Sequence, residues 1–400
     1  MATADPIPDV TQTETRTPTR SGYALLVLLP PLPQEQLDST VSKLTAMFPP
    51  EELLIASQND GVTEAYPPLR VVEAPPTKVT WTLTAADFVN AAELARKYDA
   101  RAILMLGPDA GSMGENGLRE LANAVVNGSA DLALPSYDLP ANAGLVNSAI
   151  LYPLTRGLFA SRARYPLAID LGLSLRMAER MAAAGQRFTA SGQDEALLWP
   201  IAEAVVAGYA IAEYDVGPRD LPHPPDPDIR TILAVVTGSL FSDVEAKAAY
   251  WQRPRRLPPA RVTLRSKRFT EGTSDVASMV EGFKLAYSNL QEIWALVLPP
   301  NTLLGLKRLS QQDPASFRMP ENLWARIVYD FLIAYRLRTI NRGHLLGALI
   351  PLYLAWVAGH INVTAAGADP ERHIEAVAAA FDADKAYLVS RWRWPDRFNP

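Results

Sequence analysis

The chain contains no cysteine among its 400 residues. This absence excludes disulfide bonds, thiolate metal sites, iron–sulfur clusters and any mechanism with a cysteine nucleophile. Charge of one sign is not in large excess either, because 38 lysines and arginines stand against 43 aspartates and glutamates. The resulting net charge of −5 argues against a general nucleic-acid-binding protein. We therefore expect no nucleic-acid partner.

Several short motifs of well-known chemistry are also missing. The sequence contains no G-x-x-x-x-G-K-[ST] loop, no G-x-G-x-x-G turn, no G-x-S-x-G elbow and no H-E-x-x-H pair. The usual signatures of P-loop nucleotide hydrolysis, of dinucleotide binding, of α/β-hydrolase chemistry and of zinc peptidases are therefore absent.

Long apolar runs are scarce. The first 21 residues hold six threonines and three prolines without an apolar segment, which predicts a disordered tail rather than a secretory signal. Residues 345–368 lack Asp, Glu, Lys and Arg, but Pro351 and several polar residues interrupt them. A buried helix is favoured there over a membrane span. We expect a cytoplasmic chain without a transmembrane segment.

Short apolar runs alternate with helical patterns over the first half of the chain. Strands are predicted over residues 23–29, 53–56, 69–73, 102–106 and 131–134, and helices over residues 34–47, 83–98 and 116–127. This alternation predicts an α/β fold, a mostly parallel sheet with helices on both faces.

The pattern becomes almost wholly helical after residue 228. Helices are predicted over residues 229–251, 273–296, 323–338 and 374–392. We therefore expect a tail over residues 1–21, an α/β domain over residues 22–225 and an all-α domain over residues 226–400.

Polar and proline residues follow the predicted strands, where ligands of such sheets bind. They are Pro30, Asn59, Asp60, Glu73 and Asp109. Asp109 follows the strongest strand, and its carboxylate suits a hard divalent cation that bridges two phosphates. The alternative for Asp109 is a turn residue that caps the next segment.

Two further acids and one histidine are candidates. Asp170 lies between apolar residues and is either a functional acid or the N-cap of the next helix. Asp194 precedes a predicted helix over residues 196–207, where the helix dipole favours an acid. His223 lies in a proline-rich stretch and is either a metal ligand or an exposed loop residue. The seven basic residues within residues 253–268 form either an anion-binding patch or a solvated loop.

The order of these segments resembles nucleotide-sugar glycosyltransferases of the GT-A type. The likeness is to the group of mannosylglycerate and glucosyl-3-phosphoglycerate synthases and to bacterial family 2-like relatives. Residues 59–63 (NDGVT) are similar to a turn near the nucleotide, and residues 107–109 (GPD) fall at the D-x-D metal motif. Further similar segments are residues 131–137 (DLALPSY), 152–156 (YPLTR), 164–174 (RYPLAIDLGLS), 192–194 (GQD), 213–217 (EYDVG) with His223, and 324–330.

The sequence departs from this pattern at named positions. Gly107 stands where the D-x-D motif has its first acid, and Ala168 and Ile169 stand where the family has two glycines. Ser191 replaces an aromatic residue, and His223 lies slightly off the position of the family's metal-binding histidine.

The resemblance implies a metal-dependent enzyme that moves a hexose from a nucleoside-diphosphate sugar to a small hydroxylated, glycerate-like acceptor with retention. It implies that Asp109 and His223 hold Mg²⁺ or Mn²⁺. The nucleotide-sugar contacts that it implies are Pro30, Asn59, Asp60, Glu73 and Asp109.

The resemblance also implies that Asp170 and Asp194 act in catalysis. The implied acceptor contacts are Arg156, Arg164 and Asp170, with Arg162 as a further candidate. A homodimer is compatible with the large helical part. The alternative, which the departures keep open, is a catalytically inactive glycosyltransferase-like protein that binds a ligand or a partner protein.

Overall fold

A seven-stranded sheet forms the first half of the computed structural model, which describes residues 22–79, 81–219, 228–258 and 275–395. The strands are β1 (Leu25–Leu29), β2 (Leu53–Ser57), β3 (Arg70–Glu73), β4 (Ala102–Met105), β5 (Leu132–Asp138), β6 (Leu171–Ser174) and β7 (Ile211–Pro218). Their order across the sheet is β3-β2-β1-β4-β6-β5-β7. Strand β6 runs antiparallel to β4 on one side and to β5 on the other, and the other pairings are parallel. The mostly parallel sheet predicted from the sequence is confirmed.

Continuous apolar runs explain the centre of this sheet. The sequences of β1, β2 and β4 are LLVLL, LLIAS and AILM, and their side chains are buried almost throughout. Such runs are typical of strands that are covered on both faces, since a strand with one wet face would alternate. In the register, Val27 of β1 lies opposite Ile55 of β2 and Leu104 of β4.

Six helices accompany the sheet. They are α1 (Gln34–Thr45), α2 (Ala85–Lys97), α3 (Glu115–Val126), α4 (Tyr152–Phe159), α5 (Leu175–Thr189) and α6 (Pro200–Ala207). The Ser174 hydroxyl accepts a hydrogen bond from the Met177 N–H and caps α5, so Asp170 is not the N-cap of that helix. The helix predicted over residues 196–207 begins only at Pro200. Proline suits the first turn of a helix, because the N–H groups of that turn have no acceptor within the helix and proline has no N–H.

The second half is helical, as predicted. Its helices are α7 (Ile229–Ala246), α8 (Ala248–Trp251), α9 (Val276–Ala295), α10 (Pro300–Leu309), α11 (Glu321–Leu337), α12 (Arg342–Ala365) and α13 (Pro370–Arg393). Four fully buried tryptophans anchor its core: Trp251, Trp294, Trp324 and Trp356. This core also takes in α4 and the π-helical turn Asn147–Leu151 before it. Packing therefore crosses the domain boundary that the sequence predicts at residue 225.

Helix α12 is the one helix of the described residues that is long and apolar enough to cross a bilayer. Within the protein, 67% of its most apolar window is buried. The indole N–H of Trp294 donates to the carbonyl of Ala348 in this helix at 2.9 Å. The burial favours the core helix predicted from the sequence, and the absence of a transmembrane segment stays a prediction.

Gly117 in α3 provides a test of how closely this helix packs on β7. A Cβ atom at Gly117 would lie 2.5 Å from the carbonyl oxygen of Asp215 and 2.6 Å from Cα of Val216, so backbone would have to move. We expect Gly117→Ala to lower the free energy of unfolding by about 1 to 3 kcal/mol, measured by urea denaturation.

Gly282→Ala in α9 is the matched control, because a Cβ atom there would have no described atom within 4 Å apart from its chain neighbours and the backbone of its own helix. Alanine stabilises a helix interior relative to glycine by up to about 1 kcal/mol. Equal effects of the two substitutions would contradict the close contact between α3 and β7.

Candidate functional site

A pocket lies at the carboxyl ends of β1 to β4, with about 550 Å³ of empty space that includes the open solvent at its mouth. This is the edge where parallel α/β sheets bind their ligands. Apolar side chains form most of the lining, and its polar members are Gln58, Thr77, Thr82, Asp87 and Asn90. No lysine, arginine or histidine of the described residues lines it. The pocket therefore suits an uncharged ring with hydrogen-bonding edges better than a phosphate group.

Of the predicted nucleotide-sugar contacts, Pro30 is the one that lines this pocket. Asn59 instead supports the loop after β1, because its Oδ1 accepts from the Leu32 N–H at 3.0 Å and its Nδ2 donates to the Leu32 carbonyl at 2.6 Å. Asp60 and Glu73 are exposed and lie outside the lining. The pocket thus lies at the edge of the sheet where the sequence predicts ligand binding, whereas most of its lining was not predicted.

The unpredicted polar lining comes from three separate segments. Gln58 follows β2, and its Nε2 donates to Thr77 Oγ1 at 3.1 Å in the loop after β3. Asp87 lies in the first turn of α2, where its Oδ2 accepts from the N–H and the hydroxyl of Thr84 at 2.7 and 2.8 Å. Burial raises the pKa of Asp87, against the lowering effect of its hydrogen bonds. The T-x-x-D spacing of a helix start was the only signal in the sequence for this group.

Asp170 is completely buried at the start of β6. Its Oδ1 accepts from the Gly107 N–H at 2.9 Å, and its Oδ2 accepts from the Tyr137 hydroxyl at 2.9 Å. Arg219 donates to the same carboxylate through Nε at 3.1 Å and Nη2 at 3.2 Å. Burial and the Asp170 charge raise the pKa of Tyr137 well above its usual range, so its hydroxyl stays a donor. The predicted catalytic acid therefore has all its hydrogen bonds within the protein.

Arg219 connects the two acids that the sequence singles out. It directly follows β7, its side chain is fully buried, and its Nη1 lies 3.7 Å from Oδ2 of Asp109. Asp109 adopts a left-handed conformation with φ 60° and ψ 21°, and its side chain is 40% exposed. Sequence reasoning missed Arg219, because the residues it joins lie far apart along the chain.

The predicted metal ligands were Asp109 and His223, and His223 lies outside the described residues. Within the described ranges, no group of three His, Asp or Glu residues could hold a metal ion. Asp109 is accompanied there by the Arg219 guanidinium rather than by a second carboxylate. The described residues alone do not complete a site for Mg²⁺ or Mn²⁺.

Gly107 and Ile169 fit together at the edge of the pocket, which both of them line. A Cβ atom at Gly107 would lie only 2.5 Å from Ile169 Cδ1. An acid at the first position of the D-x-D-like segment would therefore collide with the isoleucine that stands in place of a family glycine. Gly107 and Ile169, which both depart from the pattern that the sequence resembles, thus depend on one another through this contact.

Arg156 and Arg164, predicted to bind the acceptor, join the sheet region to α13. Arg156 pairs through Nε with Asp382 at 3.0 Å and through Nη1 with Glu375. Arg164 pairs through Nε with Glu371 at 3.1 Å, and both side chains of that pair are about nine-tenths buried. Neither arginine lines the pocket. The structure thus gives both guanidinium groups a structural role between the two parts of the protein.

Three remaining candidates lie apart from the pocket lining. Arg162 Nε donates to the Pro258 carbonyl at 2.7 Å, and residues 259–268 of the basic stretch lie outside the described residues. Glu213 on β7 accepts from the Arg164 N–H at 2.7 Å, and burial raises its pKa to about 7. Asp194 is exposed in a turn. Its backbone carbonyl accepts from the Ala86 N–H at 3.1 Å, which places Asp194 beside the start of α2.

No protein-family model and no curated protein matches this sequence. Solved structures do match. Glucosyl-3-phosphoglycerate synthase from Mycobacterium tuberculosis in complex with UDP is 15% identical, and the match covers 56% of this chain and 79% of that chain with a TM-score of 0.36. Mannose-1-phosphate geranyltransferase from Thermus thermophilus is 17% identical over 50% of this chain and 74% of that chain, with a TM-score of 0.26.

The first of these enzymes was also solved with Mn²⁺, UDP-glucose and phosphoglyceric acid, and that structure is 15% identical over 56% of this chain and 80% of that chain, with a TM-score of 0.35. The group named from the sequence motifs thus recurs among the matched structures. Similarity at this level does not carry an activity from one protein to another.

The contact between Gly107 and Ile169 predicts a coupled pair of substitutions. We expect Gly107→Ala to lower the free energy of unfolding by about 1 to 3 kcal/mol, because the new methyl group overlaps Ile169. In an Ile169→Ala background the same change is expected to have little effect. Thermal and urea unfolding of the two single variants and the double variant measure this, and additive losses would contradict the contact.

The buried pair of Arg164 and Glu371 predicts a large loss of stability when one partner is removed. We expect Glu371→Ala to lower the free energy of unfolding by about 3 to 5 kcal/mol, since it leaves a buried guanidinium without its carboxylate.

Glu281→Ala is the matched control, because Glu281 forms an ion pair with Lys284 and its side chain is 63% exposed. An exposed pair contributes about 0 to 1 kcal/mol. Urea denaturation compares the two variants, and similar losses would argue against the structural role of Arg164.

Proposed function

We propose that this chain is a nucleotide-sugar glycosyltransferase that moves a hexose from a nucleoside-diphosphate sugar to a small hydroxylated acceptor. The observation that carries the proposal is the position and lining of the pocket. It lies at the carboxyl ends of four neighbouring strands, and its polar groups are amides, hydroxyls and one carboxylate. Such a lining matches the hydrogen-bonding edges of a base and a ribose.

The charged residue Asp109 adjoins the pocket lining in the sequence. Gly107 and Pro108 line it, and Asp109 comes next in the chain. A base and ribose against Gln58, Thr77 and Asn90 would direct the phosphates towards Asp109. Mg²⁺ or Mn²⁺ held by Asp109 and His223 would neutralise the leaving nucleoside diphosphate when bound. Asn59 contributes indirectly, because it holds the loop after β1 that borders the pocket.

The acceptor side is less open than the nucleotide side. Because Arg156 and Arg164 are engaged with α13, the exposed Asp194 beside α2 is the better placed of the predicted groups to contact an acceptor. Retention of configuration, a glycerate-like acceptor, a cytoplasmic location and a homodimer are part of the proposal through the sequence resemblance alone.

A second candidate function is a glycosyltransferase-like protein that binds a nucleotide without transferring a sugar. One specific observation favours it: the predicted catalytic acid Asp170 is fully buried, and its hydrogen bonds go to protein groups. Both functions require nucleotide binding in the pocket, whereas only the enzyme consumes a sugar nucleotide.

Calorimetric titration with UDP, GDP and ADP, each with Mn²⁺ and with EDTA, is the first test. We expect one nucleotide to bind, and Asp109→Ala to remove whatever part of the affinity depends on the metal. Asn90→Leu is expected to weaken binding at least tenfold, in line with the loss of about 1.4 kcal/mol or more from a buried hydrogen bond.

Asn123→Leu is the matched control, since Asn123 is also a half-buried asparagine on a helix but does not line the pocket. Absence of binding by a folded wild-type protein would contradict both candidate functions. Binding without release of nucleotide from UDP-, GDP- or ADP-glucose, or from GDP-mannose, in the presence of glycerate or phosphoglycerate would favour the second.

A further inference from the structure

Arg219 has an unusual set of partners for a buried arginine. Its side chain has no exposed surface, and two of its three nitrogens donate to the Asp170 carboxylate. No described residue accepts a hydrogen bond from the third nitrogen, Nη1, although this atom is buried as well. Buried donors are nearly always paired in folded proteins, so an unused one at a ligand-binding edge calls for a partner.

The location of Nη1 indicates what kind of partner it takes. The Asp109 carboxylate lies 3.7 Å away, too far for a good hydrogen bond, and is partly exposed. On the other side, Asp170 holds the N–H of Gly107, which lines the pocket. Nη1 thus lies next to Asp109, and the Asp170 carboxylate connects the same guanidinium to Gly107 at the edge of the pocket.

The charges around Arg219 show how its role differs from that of a metal ion, which supplies positive charge. Arg219 and Asp170 neutralise one another, and Asp109 adds a further negative charge. The guanidinium therefore offers an unused hydrogen-bond donor rather than a surplus positive charge. A donor of this kind binds an anionic oxygen in a fixed direction, and such charge-assisted bonds are among the stronger ones in proteins.

We propose that Arg219 Nη1 donates to an oxygen of the nucleoside diphosphate, taking the ligand oxygen in place of the Asp109 carboxylate. The proposal rests on the function proposed above and adds a binding residue to the same site. It makes Arg219 a contact for the phosphates, while the base and ribose stay in the pocket that Arg219 does not line. No covalent bond is made or broken when this hydrogen bond forms.

The test compares nucleoside with nucleoside diphosphate in matched variants. Because Arg219→Gln alone leaves Asp170 buried without its partner, the informative pair is Asp170→Asn and the double variant Asp170→Asn with Arg219→Gln. Calorimetry gives the dissociation constants of uridine and UDP, guanosine and GDP, or adenosine and ADP, with Mn²⁺ and with EDTA. Melting temperatures confirm that each variant is folded.

We expect the gain in affinity from nucleoside to nucleoside diphosphate to fall by about tenfold to hundredfold in the double variant relative to Asp170→Asn, the effect of losing one hydrogen bond to a charged group. The affinity for the nucleoside alone should not change. Arg219→Lys keeps the positive charge but lacks the planar guanidinium group with its several donors. We expect this variant to lose part of the gain in affinity from nucleoside to nucleoside diphosphate.

An unchanged gain in both the double variant and Arg219→Lys would overturn the inference and leave the proposed function standing. An equal loss for nucleoside and nucleoside diphosphate would also overturn it, since that is the result of a merely structural role. Wild-type protein that binds none of the three nucleotides would overturn both proposals.

Discussion

The buried ion pair between Asp170 and Arg219 is the interaction on which the site depends. It joins the segment before β6 to the end of β7, and through Gly107 and Tyr137 it reaches the ends of β4 and β5. Burying two charges carries a large desolvation penalty, and replacing such a pair by apolar residues is often neutral or stabilising. The gain here is geometric: one carboxylate next to β6 accepts from donors at the ends of β4, β5 and β7, and so holds four strand ends in a single arrangement. Each hydrogen bond that the described residues give this carboxylate comes from a protein group.

The two sides of the site follow from this arrangement in different ways. On the nucleotide side, the parallel strands leave an open pocket whose amide and hydroxyl groups are only partly used by the protein. Of the groups predicted for the acceptor, Arg156 and Arg164 pair with carboxylates of α13. The pocket proposed for the nucleotide is therefore the open part of the site, whereas Asp170 is buried and bonded to protein groups.

The sequence predicts the central strands well because short, continuous apolar runs that end at turn residues are typical of buried strands. It misses β6 and β7 for a physical reason. β6 is a four-residue strand, and β7 (IAEYDVGP) carries Glu213 and Asp215, so neither presents a continuous apolar run. Arg219 was missed because the partners of an ion pair 49 residues apart cannot be read from local sequence. The edge of the sheet was predictable, while the lining from α2 depended on how that helix packs.

The helical part bears on function through the same kind of contact. Arg164 reaches Glu371 on α13, and its backbone N–H donates to Glu213 on β7, so one residue ties the helical part to the edge strand of the sheet. β7 leads directly into Arg219. Arg164 and Glu213 thus connect α13 to the strand that leads into Arg219, and neither of them lines the pocket. A catalytic metal at Asp109 would depend on the same segment, because His223 follows Arg219 by four residues in the sequence. The contacts with α13 thus give both arginines carboxylate partners inside the protein, Glu375 and Asp382 for Arg156 and Glu371 for Arg164, so their guanidinium groups connect elements of the fold.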